Sequence, residues 1–335
     1  AAQAERGLTT MLPGEDAAWV GEELARRFGL PYWQFAMTAS DANRFALRWA
    51  RAATGRRQIV IFNGCYHGTV DDVFVDLVDG KPQQRDSLIG QVHDLLEATR
   101  VIEFNDLDAL ENALKDGDVA CVLAEPAMTN IGMVLPAADY WREAQALMRR
   151  YGTLLAIDET HTISCGPDGY TRAYGLEPDL FILGKPVGGG FPCAVYGFSA
   201  ELAARAQHAK RSAPPGHSGI GTTLTANMLA MSAIRATLAE VMTEAAYDHM
   251  FALAERIEAG LTNAIARHGL AWCVTRVGAR TEFQFTPTPP RNGTEAGRQL
   301  DPELEQIVHL YLLNRGVLIT PCSALNASVS SRVVR

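Results

Sequence analysis

Asp158 and Lys185 each stand at the end of a short apolar run, Leu154-Leu155-Ala156-Ile157 and Leu180-Phe181-Ile182-Leu183-Gly184. A carboxylate placed directly after an apolar strand is half-desolvated and needs a cation or hydrogen-bond donors to remain charged. The protonated nitrogen of a bound aromatic ring is one such partner; a helix cap or an ion pair is the plainer alternative. A partly desolvated lysine has a lowered pKa and can act as a nucleophilic amine. Its plainer alternative is a solvated loop lysine. Gly184 before Lys185 and Gly188-Gly189-Gly190 after it let backbone approach a ligand closely. A phosphate loop of the Walker type ends in Gly-Lys-Ser/Thr, whereas here the lysine precedes the glycines.

Three further segments carry groups that suit such a site. Tyr66-His67-Gly68 follows the run Gln58–Phe62. An aromatic at a strand's carboxyl end can stack on a flat ring, or can simply pack beside a turn. Thr38-Ala39-Ser40 opens a helix, where free N–H groups and a hydroxyl suit an anion such as phosphate; Ser40 as an N-cap is compatible with that role. Gly221-Thr222-Thr223 offers hydroxyls before another helix. Arg280 is a candidate for gripping a substrate carboxylate in a two-pronged fashion, the alternative being a surface arginine at a strand start.

The elements that must position these groups follow from periodicity. Asp16–Phe28 reads as a helix, and so does the stretch after Ser40, where Ala42, Phe45, Ala46, Trp49 and Ala53 form one stripe closed by Gly55. Gln58–Phe62 reads as a strand ended by the turn pair Asn63-Gly64. Ala120–Ala124, Thr153–Ile157 and Leu180–Leu183 are further strands, with a helix over Tyr140–Tyr151. Strands alternating with helices predict an α/β fold, a mostly parallel sheet with helices on both faces. Ligands then gather at the carboxyl ends of the strands. Later come helices over Thr225–Leu238, Tyr247–His268 and Pro302–Arg315. Strands at Trp272–Val277, Glu282–Phe285 and Val317–Thr320 go with them, and Pro287–Asn292 is a loop. Ala324–Arg335 has no clear periodicity. The expected division is a large domain over 1–240 and a smaller α+β domain over 241–335.

Bulk composition narrows the function classes. The 335 residues are 47% hydrophobic and 20% charged, as in an ordinary globular protein. With 38 acidic against 30 basic residues the formal charge is −8, which argues against nucleic acid or an anionic membrane as the main partner. No apolar run approaches ~20 residues, the length of a membrane span. Ala1–Thr10 lacks a signal-peptide pattern. The six cysteines are scattered without a C-x-x-C pair, so no metal site is expected, and reduced thiols in a cytoplasmic protein are the reading. Gly-x-Gly-x-x-Gly after an early strand and Gly-x-Ser-x-Gly are both absent, which argues against a nicotinamide enzyme and a serine hydrolase.

Taken together, the motifs resemble the class III aminotransferases of the fold-type I pyridoxal-phosphate superfamily, which includes glutamate-1-semialdehyde aminomutase and the ω-transaminases. The blocks that carry the resemblance are Thr54–Arg57 through Gly64–Gly68, Leu155–Thr160, Gly184–Pro192 and Thr223–Met231, in the family's order and spacing. The resemblance implies pyridoxal 5′-phosphate held as a Schiff base on Lys185, which later shuttles a proton, with Asp158 on the ring nitrogen. It implies that Tyr66, next to His67 in the cofactor block, stacks on one ring face. Thr160, where relatives usually have valine, packs on the other. Ala39 and Ser40 stand where relatives place Gly-Thr for the phosphate. Thr223 matches the threonine that reaches the phosphate of the neighbouring subunit, which implies a homodimer with shared sites. His161 is implied near the ring hydroxyl, with Glu125 and Asn130 as supports behind it. The sequence departs from the family at Ala39 and Thr222, usually glycine, and at Met228, usually proline. The family's N-terminal segment and the end of its small domain are expected to be missing. The expected activity is a transaminase moving an amino group between an amine or amino acid and a keto or aldehyde acceptor. The alternatives are an aminomutase, or an impaired fragment serving as a binding or scaffold protein. Retention of both Lys185 and Asp158 argues against the scaffold.

Overall fold

The computed structural model describes residues 2–8 and 12–319. Strands β1 to β6 are Tyr32–Ala36, Gln58–Phe62, Val75–Val78, Lys81–Gln84, Thr99–Ile102 and Val119–Ala124. Strands β7 to β11 are Leu154–Asp158, Leu180–Leu183, Ala194–Phe198, Cys273–Val277 and Arg280–Gln284. Seven of them form one sheet in the order β1-β9-β8-β7-β6-β2-β5. From β5 to β8 the neighbours run parallel, and β9 is antiparallel to both β8 and β1. The chain thus has the expected α/β architecture, a mostly parallel sheet with helices on both faces.

Burial on both faces explains why these strands read as unbroken apolar runs. Leu154 and Ala156 of β7 pack with Ala42, Phe45 and Ala46 of the helix Ala39–Thr54. Leu155 and Ile157, pointing the other way, pack with Trp141, Ala144 and Met148 of the helix Tyr140–Tyr151. A third cluster joins Val20, Leu24 and Phe28 of the helix Glu15–Phe28 to Phe181 and Leu183 of β8 and to Ile234 of the helix Met228–Ala236.

One consequence of this order is that the carboxyl ends of β2, β6, β7 and β8 share an edge. The register Leu183↔Val195 and Ala36↔Ala194 brings the end of β1 to that same edge. The segment Thr38–Ser40 therefore emerges beside the ends of β7 and β8, although more than a hundred residues separate them.

Several expectations shift. Thr38, not Ser40, caps the helix Ala39–Thr54, accepting from the Asp41 N–H at 3.1 Å. The helix expected from Thr225 starts at Met228 under Asn227, because the preceding residues make a turn. Among the expected strand Val317–Thr320, residues 317–319 form no strand. Thr320 and the segment Ala324–Arg335 lie outside the described residues. Strands β1, β5 and β9, the hairpin β3–β4 and the helices Leu107–Leu114 and Ala200–Ser212 were not anticipated. β10 and β11 form a two-residue hairpin, Val277 opposite Arg280, against the long helix Glu244–His268.

A buried arginine ties the first long helix to the later ones. Arg27 is 6% exposed, pairs with Glu23 at 2.7 Å, and donates to the carbonyls of Leu238 and Met242 at 2.6 and 2.8 Å. Arg27→Leu leaves two buried carbonyls without these donors and should cost about 3 kcal/mol in urea denaturation. Arg26→Leu removes an exposed partner of the same glutamate and should cost at most about 1 kcal/mol. Equal losses would show that the carbonyl contacts are not what matters.

Candidate active site

Asp158 ends β7 and is 4% exposed. Its Oδ2 accepts from the Asn43 amide at 2.9 Å and from His67 Nδ1 at 3.0 Å, and its Oδ1 from the Thr160 N–H at 3.1 Å. Burial alone would raise its pKa, but His67, the Thr160 N–H and the Asn43 amide together hold it well below the usual carboxylate range. Burial works against a charge on His67 too, yet the neighbouring Cys65 and Asp158 raise its pKa. The buried carboxylate therefore stays ionised.

Lys185 follows Gly184 at the end of β8 and opens a short 3₁₀ turn, Lys185–Gly188. Its φ of +35° is a strained conformation for a residue with a Cβ, a kind of strain that clusters at functional sites. The side chain remains accessible. Desolvation lowers the pKa of its amine, the Asp158 and Glu125 carboxylates oppose that shift, and Arg280 adds to it.

Two glycines allow the segments to close on one another. A Cβ on Gly184 would lie 2.7 Å from the Ala39 Cβ, and one on Gly68, at φ +81°, would lie 2.1 Å from Ser40 Oγ. Gly184 also donates its N–H to Thr160 Oγ1 at 3.2 Å, and Thr69 donates to Ser40 Oγ at 3.0 Å. Asp158, Thr160, Lys185, Ala39, Ser40 and His67 are thus joined into one continuous group.

Beside them lies a second chain of bonds. Glu125 follows β6, is 5% exposed, and accepts from the Thr129 hydroxyl and from Asn130 Nδ2 at 2.8 Å. The Thr129 oxygen is also 2.7 Å from His161 Nδ1. Since the Thr129 hydrogen goes to Glu125, its oxygen accepts from His161 Nδ1–H, which leaves Nε2 with its lone pair. Burial, with the positive charges of Lys185 and Arg280, pushes the His161 pKa down to about 3, so the ring is neutral near pH 7. Arg280 is buried, not on the surface, and donates to Glu282 Oε1 at 2.8 Å and to the Thr129 carbonyl at 3.0 Å.

Two expected residues stand apart from these bonds. Tyr66 is exposed in the loop before His67. Thr223 is exposed in the turn where Thr222 N–H bonds Thr225 Oγ1 at 3.0 Å. Asn43 was missed by the sequence reading. The signal was present: a polar residue on the buried stripe, four positions after Ala39 and next to Ala42.

The donor set fits pyridoxal phosphate. An accessible amine with lowered pKa stands near a buried charged carboxylate, whose Oδ1 has spare accepting capacity, and a capped helix N-terminus lies alongside.

A family model for class-III aminotransferases matches residues 2–332. The chain is 35% identical over 331 residues to a glutamate-1-semialdehyde 2,1-aminomutase of Thermus thermophilus, covering 95% of this chain and 74% of that one. The crystal structure of a glutamate-1-semialdehyde aminomutase from Pseudomonas aeruginosa PAO1 superposes with a TM-score of 0.93 at 51% identity, covering 97% and 75% of the two chains. A second structure with that description is a complex with PMP. An ω-transaminase from Sphaerobacter thermophilus superposes with a TM-score of 0.86 at 27% identity, with coverage of 97% and 75%. Against an aminomutase of Aquifex aeolicus the identity is 31% over 299 residues, with 86% of this chain and 67% of that one covered. The chain spans about two thirds to three quarters of the length of the relatives it matches. Its extent of match and its site together show that it belongs to the class-III aminotransferase family, whose cofactor is pyridoxal 5′-phosphate.

Proposed function

We propose that this chain forms the catalytic part of a pyridoxal-phosphate transaminase, moving an amino group between an amine or amino acid and a keto or aldehyde acceptor. The observation that carries the reading is Lys185, at a strained φ of +35° and with its amine pKa lowered, one strand from the buried, ionised Asp158. The bound cofactor supplies an electron sink for negative charge that develops at the substrate carbon.

The protein's own groups have distinct tasks. Lys185 Nζ would hold the cofactor, and its amine would carry a proton to and from the substrate carbon. Asp158 holds a proton on the ring nitrogen. Ser40 Oγ accepts from the Thr69 N–H, which leaves its hydrogen for a phosphate oxygen beside the N–H groups at Ala39 and Ser40. Tyr66 and Thr160 would flank the ring, and neutral His161 would offer Nε2 as an acceptor to the ring hydroxyl. Glu125, through Thr129, keeps that imidazole in its tautomer. Arg280, buried against Glu282, contributes positive charge toward a substrate carboxylate.

A second reading is an aminomutase, which moves the amine within one substrate. It is favoured by the 51% and 35% identities to proteins described as glutamate-1-semialdehyde aminomutases. The same proposal makes the enzyme a homodimer in which Thr223 serves the phosphate of the neighbour. The exposure of the segment 213–218 and of Thr222–Leu224 supports it. It also places the enzyme in the cytoplasm, in keeping with free thiols at Cys65, Cys121, Cys165, Cys193 and Cys273. No helix among the described residues is long and apolar enough to cross a membrane.

Borohydride reduction of the loaded protein followed by peptide mapping should place the pyridoxyl group on Lys185. A label on any other lysine sinks the assignment. Asp158→Asn keeps the shape but cannot hold the ring nitrogen protonated, so the chemical step should slow by at least about 100-fold, with a smaller loss of cofactor. Near-normal half-reaction rates would refute that role. Mixing inactive Lys185→Ala and Thr223→Ala subunits should restore activity, because a mixed dimer holds one site with both defects and one with neither. A mixture as inactive as its parents, despite proven subunit exchange, rules out shared sites.

A further inference from the structure

Asn43 belongs to none of the motifs, yet it is fully buried on the helix Ala39–Thr54. Its Nδ2 donates twice, to Asp158 Oδ2 at 2.9 Å and to the His67 carbonyl at 3.1 Å. Its own Oδ1 is buried with no hydrogen-bond partner. An unsatisfied buried amide oxygen costs stability, so packing alone would favour an apolar residue here. The amide is kept for what its nitrogen donates.

The two oxygens of Asp158 are treated differently. Oδ2 receives both Asn43 Nδ2 and His67 Nδ1, which occupies its two lone-pair directions. Oδ1 receives only the Thr160 N–H at 3.1 Å and has room for one more donor. Asn43 also lies one helical turn beyond Ala39 and Ser40, a rise of about 6 Å on a rigid element. The helix that carries the phosphate-binding N-terminus therefore also carries the clamp on the carboxylate.

We infer that Asn43 is a positioning residue: by filling Asp158 Oδ2 while holding the His67 loop, it fixes Oδ1 as the oxygen that meets the ring nitrogen and locks its distance from the phosphate end of the site. This rests on the placement of Asp158 against the ring nitrogen proposed above. What it predicts is a binding preference for a ring with nitrogen at that position.

The test compares pyridoxal phosphate with its 1-deaza analogue, which keeps the aldehyde, hydroxyl, methyl and phosphate but has C–H in place of the ring nitrogen. Dissociation constants for both are measured on the full chain, stripped of cofactor, by quenching of its tryptophan fluorescence. The wild type should prefer the nitrogen-containing ring. In Asn43→Ala that preference should shrink about 10-fold, the scale of losing one hydrogen bond to a charged group, with little change for the deaza analogue. Asn43→Leu, close in size and able to fill the buried position, should behave alike and guards against a simple packing defect. If the wild type binds both rings equally, the Asp158 placement fails and the inference falls with it. If the wild type discriminates and both variants discriminate as well or better, Asn43 does not position Oδ1. Equal losses for both rings in both variants would reduce Asn43 to a structural role and overturn the inference.

Discussion

Keeping a carboxylate ionised inside the protein is the constraint on which the rest of this site depends. An isolated charge at the position of Asp158 would be neutralised by burial. Three donors prevent this, and each comes from a different element: Asn43 from the helix Ala39–Thr54, His67 from the loop after β2, and Thr160 from the loop after β7. The charge can exist only when these segments are assembled. The assembled segments in turn define the place where a protonated ring can rest.

The same assembly demands close backbone approach. Ala39 and Gly184 sit nearly in contact, as do Ser40 and Gly68, and a side chain on either glycine would force the helix off the sheet edge. Position 39, where the resemblance led us to expect glycine, carries alanine, and its methyl group lies against Gly184. The lost backbone freedom is tolerated because Thr38 supplies the cap and Ala39 itself lies within the helix, where φ is negative for any residue.

Lys185 and His161 receive opposite treatment in one field. Desolvation lowers both pKa values, but the carboxylates of Asp158 and Glu125 limit the effect on the lysine. Lys185 and Arg280 deepen it for the histidine. The result is one reactive amine beside one neutral imidazole with a fixed tautomer. Glu125, itself made less acidic by burial, reaches His161 through the hydroxyl of Thr129, with its own Oε2 3.8 Å from His161 Nδ1.

Much of this was written in the linear sequence. The strands Gln58–Phe62 and Leu180–Leu183 and the helix Tyr140–Tyr151 were read with their true limits, because both faces of a parallel sheet are buried and the apolar signal is strong. Lys185 and Asp158 were legible for a related reason: a charged residue after an apolar run stands out. β1 was not, since it is an edge strand whose residues are mostly part-exposed and carry no apolar run. Nor was Asn43, because its meaning lies in partners 24 and 115 residues away, which no local pattern records. Local sequence determined which segments become strands and helices and which reactive side chains end them. Only tertiary structure decided that the antiparallel return of β9 would carry the Ala39 helix to the ends of β7 and β8. Only there do the bonds from Asn43 and His67 form that, with the local Thr160 N–H, keep Asp158 charged, because these two join atoms that are neighbours in space alone.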